Sequence, residues 1–178
     1  MKNNIILIGM PGVGKSTLGV ILAKMLGYCF CDTDLVIQET TGKLLRDIIA
    51  LGGVDGFIET ENGVISRLSF ARTVVATGGS IVYGKEAMLN MKNSGTVVYL
   101  KQEFSVLEAR LSDMKGRGVV LREGQGLAEL FAEREPLYER YADVTVELGN
   151  GTVEENIEKV MMALDSFNSE KRGNENGK

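Results

Sequence analysis

The sequence predicts an α/β fold in three layers (α/β/α), a five-stranded parallel sheet flanked by helices. Three observations predict it. Five short β-rich runs, residues 5–8, 28–31, 73–76, 96–100 and 144–147, are spread along the chain. Segments with helical spacing separate them, and strands joined through helices pair in parallel. The first run also leads straight into Gly9-Met10-Pro11-Gly12-Val13-Gly14-Lys15-Ser16-Thr17, a G-x-x-x-x-G-K-S loop set between strand and helix.

That loop is a phosphate cradle. Glycines at 9, 12 and 14 let the backbone curl so that successive N–H groups point inward, and the following helix adds its positive N-terminal end at the same place. Lys15 would reach the β and γ phosphates, and the Ser16 hydroxyl would sit on Mg²⁺. Leu18, Val20, Ile21, Leu22, Met25 and Leu26 then form a helix apolar on one broad side, stopped by Gly27.

The second strand ends at Asp32-Thr33-Asp34. Cys29 and Cys31 alternate along it as small core or wall residues, too close in an extended chain for an easy disulfide. Asp34 can face an acceptor and take up a hydroxyl proton, or it can cap the helix through Leu35, Val36, Ile37 and Glu39. Val54, Phe57, Glu61, Val64, Ile65 and Leu68 fall at helical spacing, and the third strand ends at Thr77-Gly78-Gly79-Ser80. Residues 112–126 carry Gly116, Gly118, Gly124 and Gly126 with Lys115, Arg117 and Arg122, and read as a cationic lid.

Leu127, Leu130, Phe131, Arg134, Leu137, Tyr138 and Tyr141 mark the next helix, and residues 153–167 the last. Both Glu61 and Arg134 put charge on an apolar stripe. By pattern alone each is better read as an edge residue that snorkels to water. Residues 1–168 form one domain, with the polar segment 169–178 as a disordered tail.

Composition narrows the function. With 178 residues, 44% hydrophobic and 25% charged, the chain can bury a sizeable core. A net charge of -4 gives no electrostatic footprint for nucleic acid. No apolar run approaches the roughly 20 residues that span a bilayer, so a cytoplasmic protein without membrane contact is expected. The chain has 0 His and 2 Cys, which excludes imidazole bases, Ser-His triads and Cys/His metal sites. Proton transfer is left to carboxylates, Lys, Tyr or water.

In open α/β sheets, ligands bind beyond the carboxyl ends of the strands. The cradle, Asp32-Thr33-Asp34 and Thr77-Gly78-Gly79 all fall there and should converge on one cleft. Asp32 suits an outer-sphere magnesium position, and the side-chain-free backbone of Gly78 and Gly79 lets a ligand approach closely. Phosphoryl transfer asks mainly for positioning and charge stabilisation, which Lys15, Mg²⁺ and a cationic lid can supply.

Several ordered blocks resemble the shikimate kinase family. They are G-M-P-G-V-G-K-S-T, Asp32-Thr33-Asp34, the A-T-G-G of Ala76 to Gly79, the V-V-Y-L of Val97 to Leu100, the arginine-containing lid, and E-R-E-P-L-Y-E-R-Y-A-D from Glu133 to Asp143. The resemblance implies a sheet of nucleoside-monophosphate-kinase type. It also implies transfer of the γ-phosphate of ATP to the 3-hydroxyl of shikimate, in aromatic amino-acid biosynthesis, with ATP and Mg²⁺ as cofactors; a monomer is expected. Asp34 would contact the ring hydroxyls and accept the proton, Asp32 would join Ser16 at Mg²⁺, and Gly78 and Gly79 would line the acceptor pocket. Arg134 would hold the acceptor carboxylate, Arg117 would close over the phosphates, Arg110 would lie by adenine, and Glu61 would be a framework acid of the acceptor-binding region, residues 34–70.

The departures fall on the acceptor side. Where the family shows G-E-x-x-F-R-x-x-E, this chain reads Gly53-Val54-Asp55-Gly56-Phe57-Ile58-Glu59-Thr60-Glu61, with Ile58 at the place of a substrate-binding arginine. Losing a bidentate arginine contact costs on the order of 2 to 5 kcal/mol of binding unless another group replaces it. Arg46 is a candidate replacement, although a solvated helix residue is the simpler reading. Ser80 stands where a third glycine is usual, so its hydroxyl either reads a polar substituent or caps the next segment. The lid reads Arg117-Gly118-Val119-Val120-Leu121 in place of R-P-L-L. Shikimate is therefore the first expectation for the acceptor, a different polyol or hydroxy acid the second. A nucleotide-binding regulatory module is the third, and the intact Lys15, Ser16, Asp32, Asp34 and Arg117 stand against it.

Overall fold

The computed structural model describes residues 4–112, 122 and 124–175. Its five strands are β1 (Asn4–Ile8), β2 (Cys29–Asp32), β3 (Thr73–Ala76), β4 (Gly95–Lys101) and β5 (Val144–Glu147). They form one sheet in the order β2-β3-β1-β4-β5, and every pairing is parallel. β1, β3 and most of β4 are buried on both faces, which is why they read as unbroken Ile/Val/Leu runs without alternation. Register is pinned at the lower end by Asn4. Its amide donates to Phe70 O (3.1 Å) and Ser94 O (2.8 Å) and its oxygen accepts from Thr73 N–H (3.0 Å).

The helices are α1 (Lys15–Leu26), α2 (Thr33–Thr41), α3 (Leu45–Ile65), α4 (Lys85–Ser94), α5 (Phe104–Ser112), α6 (Leu127–Tyr141) and α7 (Val153–Glu175), with a 3-10 turn at Ile81–Tyr83. Handedness distributes them. The crossover from β1 to β2 runs one way across the sheet, whereas those from β2 to β3, β3 to β4 and β4 to β5 run the other way. Right-handed connections therefore place α1 on one face and α3, α4 and α6 on the opposite one. α7 returns to pack on β5 and α1. Where the direction reverses, the chains leaving β1 and β3 diverge to opposite faces and open a crevice above the sheet.

Several boundaries differ from those expected of the sequence. β2 is shifted one residue, so that Asp32 ends the strand. It is also an edge strand, which leaves Cys29 exposed and Cys31 half-buried rather than in the core; both thiols are free. α7 continues to Glu175, so residues 169–175 of the expected disordered tail are helical, with Lys171 Nζ 4.3 Å from the Phe167 ring centroid. The lid segment around Arg117 lies outside the described residues.

α3 is two helices joined at Gly53, where φ 67° and ψ -170° break the helical path. The break re-aims residues 54–65 so that Phe57, Glu61 and Ile65 face inward. Only glycine occupies that backbone region without strain. Gly53→Ala should lower stability by about 1–3 kcal/mol. Gly52→Ala, next to it with open space around its Cα, should raise stability by about 0.5–1 kcal/mol. Urea unfolding midpoints of the two variants check both signs.

Candidate active site

The crevice is built from four strand or helix ends. At the end of β1, Gly9, Gly12 and Gly14 take φ of 144°, 76° and 106°, and a Cβ on Gly9 would sit 2.6 Å from Leu100 O on the neighbouring strand. The loop is closed by its own lysine. Lys15, at the first turn of α1, donates from Nζ to Gly9 O (2.7 Å) and Met10 O (2.9 Å). Burial pushes its ammonium down to about 8, opposed first by the carboxylate of Asp34. Anionic phosphates beside it would raise that value again.

At the end of β2 the two aspartates divide the work. Asp32, not Asp34, is the N-cap of α2: its Oδ1 accepts from Asp34 N–H (3.0 Å). Its Oδ2 accepts from the Ser16 hydroxyl (2.7 Å), so Ser16 and Asp32 meet at one point beside the cradle. The side chain of Asp34 is thereby free to turn into the crevice, where its Oδ1 is buried without a hydrogen-bond partner. Burial, with the nearby Asp32 charge, pushes its carboxyl up, while Lys15 pulls it down. Thr33, between them, accepts from Gly78 N–H (3.2 Å) and locks the start of α2 to the end of β3.

The third wall is Gly78-Gly79. A Cβ on Gly78 would lie 2.6 Å from Glu61 Oε1 and 2.9 Å from Asp34 Oδ1; one on Gly79 would lie 2.8 Å from Pro11 Cδ and 3.0 Å from Arg134 Nη1. Both glycines are required because charged groups press against the backbone on either side. Tyr138 of α6 holds this wall by donating to Gly79 O (2.6 Å), and its ring stacks on Tyr99 of β4 at 5.1 Å.

Glu61 and Arg134 do not snorkel. Each is 1% exposed. Arg134 lies over the Tyr83 ring (5.2 Å) and donates from Nε to the Tyr83 hydroxyl (3.3 Å). Neither oxygen of Glu61 has a well-formed hydrogen bond. The neighbouring Ser80 hydroxyl, together with Arg134 and Lys15, draws its pKa down, but burial and Asp34 outweigh them and hold it at about 7. Ser80 itself is buried and makes no side-chain cap to the turn it precedes. An amphipathic stripe marks positions near the core but cannot separate an edge charge from one sealed against other charges, hence the wrong expectation.

A cavity of about 530 Å³ runs from Asp34, Leu45, Gly78 and Gly79 past the cradle to Arg110, Leu148, Val153 and Asn156. Arg110 also donates to Gly12 O (3.4 Å), which places it at the far end from Asp34. Val13, buried, and Thr17, exposed, line the same cavity. The structure thus brings Gly9, Gly12, Gly14, Lys15, Ser16, Asp32, Asp34, Gly78, Gly79, Ser80 and Arg134 together. Arg46 is not among them: 79% exposed, it pairs with its neighbour Asp47 at 3.6 Å. Sequence reasoning missed Thr33, Leu45, Tyr83 and Tyr138 as site residues. Thr33 and Tyr138 lay in quoted blocks, but nothing in the pattern of Leu45 and Tyr83 marks a role.

The switch-point crevice, the phosphate loop and the paired Ser16 and Asp32 define a P-loop phosphotransferase. The family model for shikimate kinase matches residues 11–165. A shikimate kinase of Chlorobium chlorochromatii is 36% identical over 92% of this chain and 91% of its own length, and one of Nitrosospira multiformis is 38% identical over 82% and 76%. The structure of Acinetobacter baumannii shikimate kinase in complex with shikimate has a TM-score of 0.83, 32% identity, and coverage of 92% and 93%. That of the Aquifex aeolicus enzyme has a TM-score of 0.74 and 32% identity. The chain belongs to the shikimate kinase family and is an ATP-dependent phosphotransferase with an alcohol acceptor. Among the described residues no helix is long and apolar enough to cross a membrane.

The buried Glu61 makes stability pH-dependent. Raised from 4.5 to about 7 on folding, it binds more protons folded than unfolded, so stability falls between about pH 4.5 and 7 and is level above. Glu61→Gln lacks that slope. Relative to the natural chain, its unfolding free energy should rise by about 2–3 kcal/mol from pH 5 to pH 8, as read from urea titrations at both pH values.

Proposed function

We propose that this chain transfers the γ-phosphate of ATP to the 3-hydroxyl of shikimate, within aromatic amino-acid biosynthesis. The observation that carries the reading is the approach of Asp34 and Glu61 to Gly78, with both carboxylates near enough to Lys15 to act on its charge. Asp34, unpartnered at Oδ1 and at the inner end of the cavity, orients the acceptor hydroxyl and takes its proton. Lys15, released from Gly9 O and Met10 O, stabilises the charge moving with the phosphoryl group. Arg134, held rigid by Tyr83, supplies a guanidinium for the acceptor carboxylate, and Arg110 borders the nucleotide base. Arg117 is proposed to close over the phosphates.

The donor set also suits magnesium. Ser16 and Asp32 offer two oxygens at one point, and among the described residues no cluster of three or more His, Cys, Asp or Glu could hold a metal unaided. Magnesium takes few protein ligands and completes its shell with phosphates and water. When bound it would neutralise charge on the transferring phosphates.

Lys15→Ala should lower kcat at least 100-fold, a loss of about 3 kcal/mol of transition-state stabilisation. Asp34→Asn should abolish most turnover while leaving the KM for ATP within a few-fold. Both are read in a coupled ADP-release assay. Parallel loss of ATP binding and turnover in the asparagine variant would place Asp34 on the donor side.

A second reading, a kinase of another polyol or hydroxy acid, is favoured by Ile58 and by the unpartnered Glu61, three residues further along the same helix. Ile58→Arg separates the two. With shikimate as the true acceptor, the new guanidinium lowers its KM with little change in kcat, the signature of uniform binding. With another acceptor it is an uncompensated charge that impairs the native reaction. Negligible shikimate turnover by the natural chain, with no gain in the arginine variant, would leave the second reading standing.

A further inference from the structure

Ile58 leaves α3 without a cation toward the acceptor, yet a guanidinium reaches that helix from elsewhere. Arg122 Nη2 lies 3.3 Å from Asp55 Oδ1, one turn before Ile58, and its Nη1 lies 3.7 Å from Glu133 Oε1 on α6. The same Glu133 oxygen accepts from the Tyr83 hydroxyl (2.8 Å), which in turn accepts from Arg134 Nε (3.3 Å). Arg122 therefore sits between α3 and α6, three contacts from the buried Arg134. Its backbone is held in place. Arg122 N–H donates to Gln125 Oε1 (3.2 Å), Gln125 N–H donates back to Arg122 O (3.0 Å), and Gln125 Nε2 donates to Glu133 Oε2 (2.7 Å).

We propose that Arg122 is the second guanidinium of the acceptor site, replacing from the α5–α6 connection the charge that Ile58 cannot provide, and that it binds the acceptor carboxylate opposite Arg134. The inference rests on the reading of a carboxylate-bearing acceptor given above. Arg122 is 53% exposed and Asp55 is 83% exposed, and ion pairs this open to water contribute little, so Arg122 can exchange Asp55 for a ligand at small cost. Asp55 then turns to solvent, while Glu133 and Gln125 keep the guanidinium between the two helices. An arginine offers a planar fork that matches a carboxylate, which a lysine at the same place would not.

The test compares the full-length natural chain with Arg122→Ala, Arg122→Lys, Asp55→Asn and the double variant Ile58→Arg/Arg122→Ala, measuring kcat and KM for shikimate and for ATP. Arg122→Ala should raise the KM for shikimate at least tenfold, with kcat within threefold and the KM for ATP within twofold; Arg122→Lys should recover only part of that loss. Asp55→Asn should lower the KM for shikimate by twofold or more, and Ile58→Arg should rescue Arg122→Ala to within threefold of the natural chain. With the methyl ester of shikimate as acceptor, the Arg122→Ala effect should shrink below twofold. A shikimate KM within twofold of the natural value in Arg122→Ala, or equal increases for shikimate and ATP, overturns the proposal alone. Absence of turnover with any carboxylate-bearing acceptor by the natural chain overturns it together with the acceptor reading.

Discussion

Four charged groups sealed into one crevice, Lys15 and Arg134 against Asp34 and Glu61, set the constraint on which the rest of the site depends. Charges removed from water are costly unless each finds opposite charge or hydrogen bonds, and here they come from four separate helices, α1, α2, α3 and α6. The sheet brings them together because its crossovers reverse direction between β1 and β3. Gly78 and Gly79 then have to be side-chain-free, since carboxylate oxygens, Pro11 and Arg134 already fill the volume a Cβ would take. Thr33 and Tyr138 fasten that glycine wall from opposite sides. The balance is incomplete: Glu61 and one oxygen of Asp34 have no well-formed partner. Orphaned buried oxygens beside a cavity are the structural form of a site waiting for hydroxyl donors.

The division between Asp32 and Asp34 shows how one short segment serves both halves of a phosphotransfer site. Because Asp32 caps α2 through one oxygen and meets Ser16 through the other, both of its oxygens are engaged beside the phosphate loop. Because the cap is already made, Asp34 is spared that role and can face the acceptor. Two residues of spacing and one helix start thus turn one carboxylate to Ser16 at the cradle and leave the other to the crevice, an arrangement that suits phosphoryl transfer by positioning.

The cradle was legible in the sequence because its chemistry is local: glycines, lysine and serine at fixed spacing need only a strand before and a helix after. The order of the five strands' segments was legible for the same reason, through unbroken apolar runs. Glu61 and Arg134 were misread by periodicity since their burial is a long-range fact, created by contact with Lys15, Asp34 and Tyr83. Cys29 was misplaced because nothing in four residues of β2 tells an edge strand from a central one. Asp34 was left between two roles, and the cap geometry of Asp32 separated them.

Ile58 shows where such reading stops and what replaces it. Chain order offers Arg46 as the compensating cation near Ile58, but that residue points to water beside Asp47. A helix surface brings together residues three or four apart, whereas an acceptor pocket collects groups by the path of the whole chain. The arginine that reaches α3, at Asp55, stands 64 positions after Ile58 and is anchored through Gln125 and Glu133. Moving a guanidinium from a helix onto a connecting segment changes more than its address. On that segment Arg122 pairs with the carboxylates of Asp55 and Glu133, while Glu61 stays buried with its pKa held at about 7. The acceptor side of the crevice thus carries the buried charges of Arg134 and Glu61, with Arg122 the proposed second guanidinium between α3 and α6.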